Sequence, residues 1–490
     1  MRARLLAAGL LLAAGSARPQ EPSPPPAPGP GELGPQPVPV PIPLIPETGE
    51  PRPEGQPAPA EGPPCTATSE CAARLGRGHV CEAGRCTQYW DKRDLFGVIG
   101  LKNAPPKAPE TFKPVFAVIP VIGSSPSTGF SFGLASTLGI LLGDPADTTI
   151  SSATGSLWYT TKNQLILQIA ATAMLPGNQW ELLSDWRYMI FSQDTYGLGT
   201  GKNPLSTGIT LEGIGTIAAV EGAQPMKFDT LRLHQSVVRH VSGSFYLGGG
   251  FRLDAYANIH DERLDLASTP PVVTSHYGYS RYFGFNPGHY VASGVSADTL
   301  WDSRDSTIAP YRGTFVHLRL IGYPTWLGSS QSSSMVTAEA REYVGLSDDP
   351  RNLLALWLYT SAVTGGHLPY LALPSSGWDA RGTTARGYVQ GRFRGTAWVD
   401  LEAEWRFRLS SDGLFGGAVF GSAQTLSRPA ASLPNLNFSD PGEKLFDTMR
   451  VAGGVGLRIM LIKQSRTAIR LDFAGGQRSF GFYLGSGEAF

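Results

Sequence analysis

A chain of 490 residues with 40 basic and 40 acidic side chains carries no net charge, which excludes the basic footprint of a nucleic-acid-binding protein. Only 16% of its residues are charged, against roughly 25% in soluble domains, while its 59 glycines and 10% aromatic content are high. That balance suits a chain of strands and turns with a partly apolar exterior.

The chain opens "MRARLLAAGLLLAAGSA": Arg2 and Arg4, an apolar stretch from Leu5 to Ala14, then small residues. This predicts a secretory signal peptide over residues 1–17, too short in its apolar part to span a bilayer. No cysteine stands at the cleavage site, so a lipoprotein is not expected. Nowhere does an apolar run reach about 18 residues, so membrane entry would require a closed barrel, which satisfies its backbone internally.

Residues 18–64 hold 19 prolines among 47 positions. Such a stretch cannot build a packed core and is expected to be a disordered, extended spacer reaching roughly 140 Å when fully drawn out. It would cross the periplasm or a cell-wall layer.

All four cysteines fall in residues 65–86: Cys65, Cys71, Cys81 and Cys86. An exported chain meets an oxidising compartment, so an even count in so short a segment predicts two disulfides, with three connectivities open. A zinc site would want paired C-x-x-C knuckles; here the spacings are five, nine and four residues, and the segment's one histidine is His79. No metal or cofactor is therefore expected. The segment resembles short cysteine-rich modules of the EGF-like kind. Residues 87–111 are expected to be a linker from this module into a strand-rich region.

From residue 112 to 490 period-two alternation dominates. In "AWVDLEAEWRFRL" Ala397, Val399, Leu401, Ala403, Trp405, Phe407 and Leu409 are apolar, alternating with Asp400, Glu402, Glu404, Arg406 and Arg408. "FYLGGGFRLDAYAN" and "TAIRLDF", with Arg470 and Asp472 on the polar face, repeat the pattern. The runs are near the length needed to cross a bilayer at a tilt.

Sixteen strands are predicted, beginning with 114–122, 127–142, 150–160, 163–174, 178–192, 226–240, 243–258 and 289–302. The others are 313–323, 334–345, 351–364, 396–409, 413–424, 447–462, 465–474 and 478–490. Connections after even strands are short and several after odd strands are long, the asymmetry of outer-membrane barrels. The predicted fold is thus all-β, a 16-stranded antiparallel transmembrane barrel behind a disordered Pro-rich spacer and a small disulfide module. An even strand count leaves the N-terminal region periplasmic.

The last predicted strand, "GFYLGSGEAF", closes on Phe490, read as a barrel insertion signal. Together with "VAGGVGLRIMLIKQSRTAIRLDFAGG", the loop "ARGYVQGRFRG" and the turn "DSRDSTIAPYRGTF", it resembles the BamA/TamA-type outer-membrane proteins of the bacterial surface antigen superfamily. The similarity covers roughly residues 112–490. The resemblance makes Arg386, Gly387 and Tyr388 the loop-six motif, folded back into the barrel. Arg386 would dock on a lumen carboxylate, Glu402 or Glu404, and Tyr388 would pack on the wall. In the turn, Asp302, Arg304, Asp305, Pro310 and Gly313 match the family pattern.

Two departures stand out. Where family members carry an acidic partner for the loop arginine, this chain has Ser422. Residues 18–111 also leave no room for a POTRA domain.

No H-E-x-x-H, P-loop or G-x-S-x-G elbow occurs, so the chain is not expected to be an enzyme. The resemblance implies a bacterial outer-membrane barrel that assists insertion or export of a protein client. A passive solute pore and a surface-anchored interaction protein stay open. The partners expected are outer-membrane lipid and a protein client, or a periplasmic or cell-wall partner.

Overall fold

A computed structural model of the chain describes residues 111–490 except 126–128, 146, 202–209, 212–214, 217–221, 430, 434–437, 441 and 464–465, together with parts of 63–98. Residues 1–62, which hold the expected signal peptide and nearly all of the Pro-rich spacer, lie outside the described residues, as does most of the 87–111 linker.

The cysteine segment contains a two-stranded hairpin, His79–Glu82 against Arg85–Gln88. Cys65 bonds to Cys81 and Cys71 to Cys86, an interlaced pairing that spacing alone had left open. The sulfurs themselves form the buried cluster of this segment. Separations of 16 and 15 residues give each bridge a loop-closure contribution of about 3 kcal/mol. Replacing Cys71 and Cys86 together by serine is expected to open the module to limited proteolysis while the barrel's melting stays unchanged.

Sixteen antiparallel strands form a single sheet. They are β1 (Val115–Ser125), β2 (Gly129–Ile140), β3 (Ser151–Thr160), β4 (Leu165–Met174) and β5 (Trp180–Thr195). Next come β6 (Gln224–Ser242), β7 (Phe245–Asp261), β8 (Tyr290–Asp302), β9 (Gly313–Tyr323), β10 (Ser333–Gly345) and β11 (Leu353–Gly366). The last are β12 (Ala397–Arg408), β13 (Phe415–Ser427), β14 (Arg450–Ile462), β15 (Thr467–Gly476) and β16 (Ser479–Ser486). Each strand pairs with its sequence neighbour, and the sheet curls until β16 meets β1. Among the described residues no ladder joins those two, so the barrel is nearly closed rather than continuous. β1 also carries Pro120, which has no N–H to donate and is tolerated on an edge strand.

The alternation explains the curl, and it runs opposite to that of a soluble sandwich. Along β12, Leu401, Ala403 and Trp405 are exposed while Asp400, Glu402, Glu404 and Arg406 are buried. The same inversion leaves Phe132, Ile169, Trp186, Val295, Val419 and Phe473 exposed around the outside. An apolar exterior over a charged interior is the pattern of a barrel standing in lipid.

The final strand is shorter than predicted. β16 ends at Ser486, Gly487 turns at φ 76°, and residues 487–490 leave the sheet for the lumen. Phe490 is therefore not a strand residue: it is buried, and its ring stacks on Trp357 at 4.9 Å. Its placement follows from the wall it meets, since Arg406 lies 5.0 Å from the ring centroid and Tyr311 and Tyr343 complete the cluster.

At one mouth an apolar cluster joins Phe191, Phe228, Tyr256 and Tyr290 of the wall to Leu198, Tyr279, Phe285 and Tyr370 of the described parts of the connections. Helix α1 (Ser275–Tyr282) lies within this cap, started by Thr274, whose side chain accepts from the Tyr277 N–H. Within the cap, Tyr279 donates to the Leu368 carbonyl at 2.8 Å, and Asp261 holds His276 at 2.7 Å.

Candidate functional site

Loop six, residues 367–396 between β11 and β12, folds back into the lumen. Its course is set by short-range bonds. The Asp379 carboxylate accepts from the Thr383 and Thr384 N–H groups at 2.9 and 2.8 Å and from the Thr384 hydroxyl at 2.6 Å. Arg394 is fully buried and its Nη1 donates to the carbonyls of Tyr370 and Leu371 at 3.0 and 2.8 Å. This arginine of the "ARGYVQGRFRG" stretch thus ties the descending and returning arms of the loop together.

Arg386 reaches furthest into the wall, and none of its side chain is exposed. Its Nη2 donates to both Glu402 and Glu404, and its Nη1 to Asp472 at 2.5 Å. The guanidinium also lies 3.6 Å over the Phe420 ring. Burial alone would push this guanidinium down, but Glu402, Glu404 and Asp472 hold it well above the ordinary arginine range. Both carboxylates expected from the sequence are thus in contact with Arg386, and a third, Asp472 on β15, joins them.

Asp472 resolves the departure at Ser422. Ser422 lies opposite Glu402 in the β12–β13 ladder, and no acidic group stands there. The wall instead supplies a carboxylate from two strands further on. The signal was present in "TAIRLDF", where Asp472 falls on the polar face; its distance in sequence from the loop hid the pairing.

The surrounding charges extend the network. Arg406 bonds Glu404 at 2.7 Å, Arg458 bonds Asp472 at 2.6 Å and Glu488 at 2.8 Å, and Arg470 lies 3.5 Å from Asp472. Four arginines thus meet four carboxylates, which leaves the buried set electrically balanced. Because Glu488 belongs to the inturned residues 487–490, the network locks loop six, the wall and the end of β16 to one another.

Gly387 and Tyr388 complete the contact. Gly387 has φ +101°, and a Cβ there would meet the Gly475 backbone at 3.0 Å, so only glycine lets the loop lie flat on β15. Its N–H donates to the Tyr483 hydroxyl at 2.9 Å. Tyr388 covers Gly476, donates to the Val451 carbonyl at 2.7 Å and accepts from the Gln477 N–H at 3.1 Å.

From the opposite end, the β8–β9 turn enters the lumen. Arg304 holds Asp302 at 2.6 Å and lies 4.3 Å from the Phe315 ring centroid. Asp305 pairs with Arg466 at 2.7 Å, Pro310 is buried, and Gly313 at φ +102° passes a backbone carbonyl that any side chain would strike. The turn and the inturned end both touch loop six: Arg381 donates to the Thr307 and Glu488 carbonyls at 3.4 and 3.2 Å, and Thr383 donates to the Ala489 carbonyl at 2.8 Å.

Glu488 also gives the network a pH signature. Burial would raise its carboxyl, but Arg458 and Arg406 hold it below the usual glutamate range. A depressed folded value contributes stability that is present above the unfolded value and lost as pH falls through the folded one. The stability gap between wild type and Glu488→Gln is therefore expected to be full at neutral pH, about 1.5–3 kcal/mol. It should close as pH drops below about 4.

The arrangement is structural chemistry: buried, charge-assisted docking of a loop on a barrel wall. No protein-family model and no curated protein sequence matches the chain. Among solved structures, the crystal structure of BamA from Haemophilus ducreyi lacking POTRA domains 1–3 is similar, with a TM-score of 0.43 and 13% identity over 76% of this chain and 69% of that chain.

Proposed function

We propose that the protein is a bacterial outer-membrane barrel that assists insertion or export of a protein client at the seam between β1 and β16. The single observation that carries this is the missing ladder between those strands. An unpaired edge in hydrocarbon leaves N–H and C=O groups without partners, at several kcal/mol each, and is a template for another strand. β16 is also short, at 8 residues, and two of its residues, Gly481 and Gly485, are glycines, which weaken a strand's hold. The docked loop six keeps the rest of the wall rigid while the seam stays free. Its motif and the β8–β9 turn resemble the BamA/TamA-type pattern, which adds to the reading, and the role is non-catalytic.

The test is quantitative proteomics of outer membranes from a strain lacking the protein, complemented with wild type or with Arg386→Ala. Loss of one or a few surface proteins, restored by wild type alone, is the expected result. An unchanged proteome would overturn the proposal and direct attention to solute uptake and surface binding.

A further inference from the structure

Between loop six and the wall formed by β3–β12 lies a cavity of about 180 Å³, whose lining includes none of Arg386, Glu402, Glu404 and Asp472. Six arginines line it. Three are neutralised in place: Arg232 by Asp254 at 2.7 Å, Arg304 by Asp302 at 2.6 Å, and Arg341 by Glu339. The other three, Arg252 on β7, Arg319 on β9 and Arg381 on loop six, have no carboxylate within ion-pair distance among the described residues.

The carboxylates that line the cavity are already committed. Asp185 is held by Arg187 at 2.7 Å, and Asp379 by the loop's own N–H groups. Asp298, opposite Arg319 in the ladder, turns its Oδ2 to His317 at 3.3 Å and does not line the cavity. Arg252 is 6% exposed, bonds only the Ser236 hydroxyl at 3.2 Å, and its Nε has no acceptor. Arg319 has neither a hydrogen-bond nor an ion-pair partner among the described residues, and its Nε is likewise buried and unsatisfied. Among the described residues the Arg381 guanidinium meets only carbonyls; burial, with Arg341 beside it, pushes it down to about 9.

Arg252 is buried and Arg319 and Arg381 are half-buried; guanidiniums drawn this far out of water are unfavourable unless a counter-charge completes them. Their planar forks match the oxygens of a phosphate group, and the space exceeds the roughly 30 Å³ that one water occupies. We propose that this cavity is a binding site for a small soluble phosphate-class oxyanion, held by Arg252, Arg319 and Arg381. The ligand would act as a removable strut between loop six and the wall, a role independent of whether the seam handles a client.

The test uses the full chain in detergent micelles, titrated with inorganic phosphate by calorimetry and by thermal melting. Wild type is expected to bind saturably and to melt at higher temperature with phosphate. Arg252→Gln and Arg319→Gln should each bind about ten- to a hundredfold more weakly, the loss of one charge-assisted contact. Both should keep the wild-type melting temperature or exceed it without phosphate, because like-charge repulsion is relieved; this separates lost binding from lost folding. Exposed Arg312→Gln serves as the unaffected control. Non-saturable binding by wild type, or equal binding by both variants, would overturn the site. Displacement by phosphatidylglycerol but not by glycerol phosphate would overturn the soluble ligand in favour of a lipid headgroup.

Discussion

Arg386→Ala is expected to destabilise the barrel by about 3–5 kcal/mol, the magnitude seen when one partner of a buried ion pair is removed. The reason is what remains. Glu402, Glu404 and Asp472 all direct oxygens at this guanidinium, and none of the three side chains has any exposed surface. Truncation leaves a carboxylate cluster with one cation fewer. Arg406 and Arg458 still hold Glu404 and Asp472, but Glu402 has no other basic partner within ion-pair distance among the described residues. Arg386→Lys should recover only part of the loss, because an ammonium cannot serve three acceptors in a plane or lie flat on Phe420. Combining Arg386→Met with Glu402→Gln should be milder than Arg386→Ala alone, because it removes charge on both sides. Heat-modifiability on gels and thermal melting of the purified barrel would check all three. Melting of Arg386→Ala within a degree or two of wild type would mean that the network does not hold the loop.

Much of this site was legible because the strand period is two. Once Leu401 and Trp405 face out, Glu402 and Glu404 must face in, just beyond Asp400, which accepts from the Ala385 N–H of the loop at 3.1 Å. The alternation of long and short connections likewise sets the strand count. Three things were not legible, each for a physical reason. Asp472 is close to Arg386 only because the sheet curls enough to bring β15 under the loop. The cystine pairing depends on a hairpin that spacing does not determine. The inward path of residues 487–490 depends on Arg406, Arg458 and Trp357 lying ready for Glu488 and Phe490. The cavity arginines show the same boundary: periodicity places Arg252 and Arg319 on the polar face but cannot say that no carboxylate answers them.

Amide hydrogen exchange in lipid nanodiscs is expected to divide the wall sharply. Strands β11 and β12 are paired on both sides, with loop six docked beneath them, so their amides should open only near global unfolding. β1 and β16 are each paired on one side only. Their inward ladders, to β2 and β15, should protect half of their amides moderately. The seam-facing half should exchange at least about a thousandfold faster than the β11–β12 amides, equivalent to about 4 kcal/mol less opening free energy. Pro120 sharpens the expectation, because at that position β1 has no N–H with which to complete a ladder in either direction. Equal protection at the seam and at β11–β12 would mean that the two edges pair in the bilayer, and a client strand would then have to displace existing hydrogen bonds. Fast exchange confined to the seam leaves its unpaired groups as the strongest unmet hydrogen-bonding demand in the barrel wall, and an incoming β-strand is the chemistry that meets it.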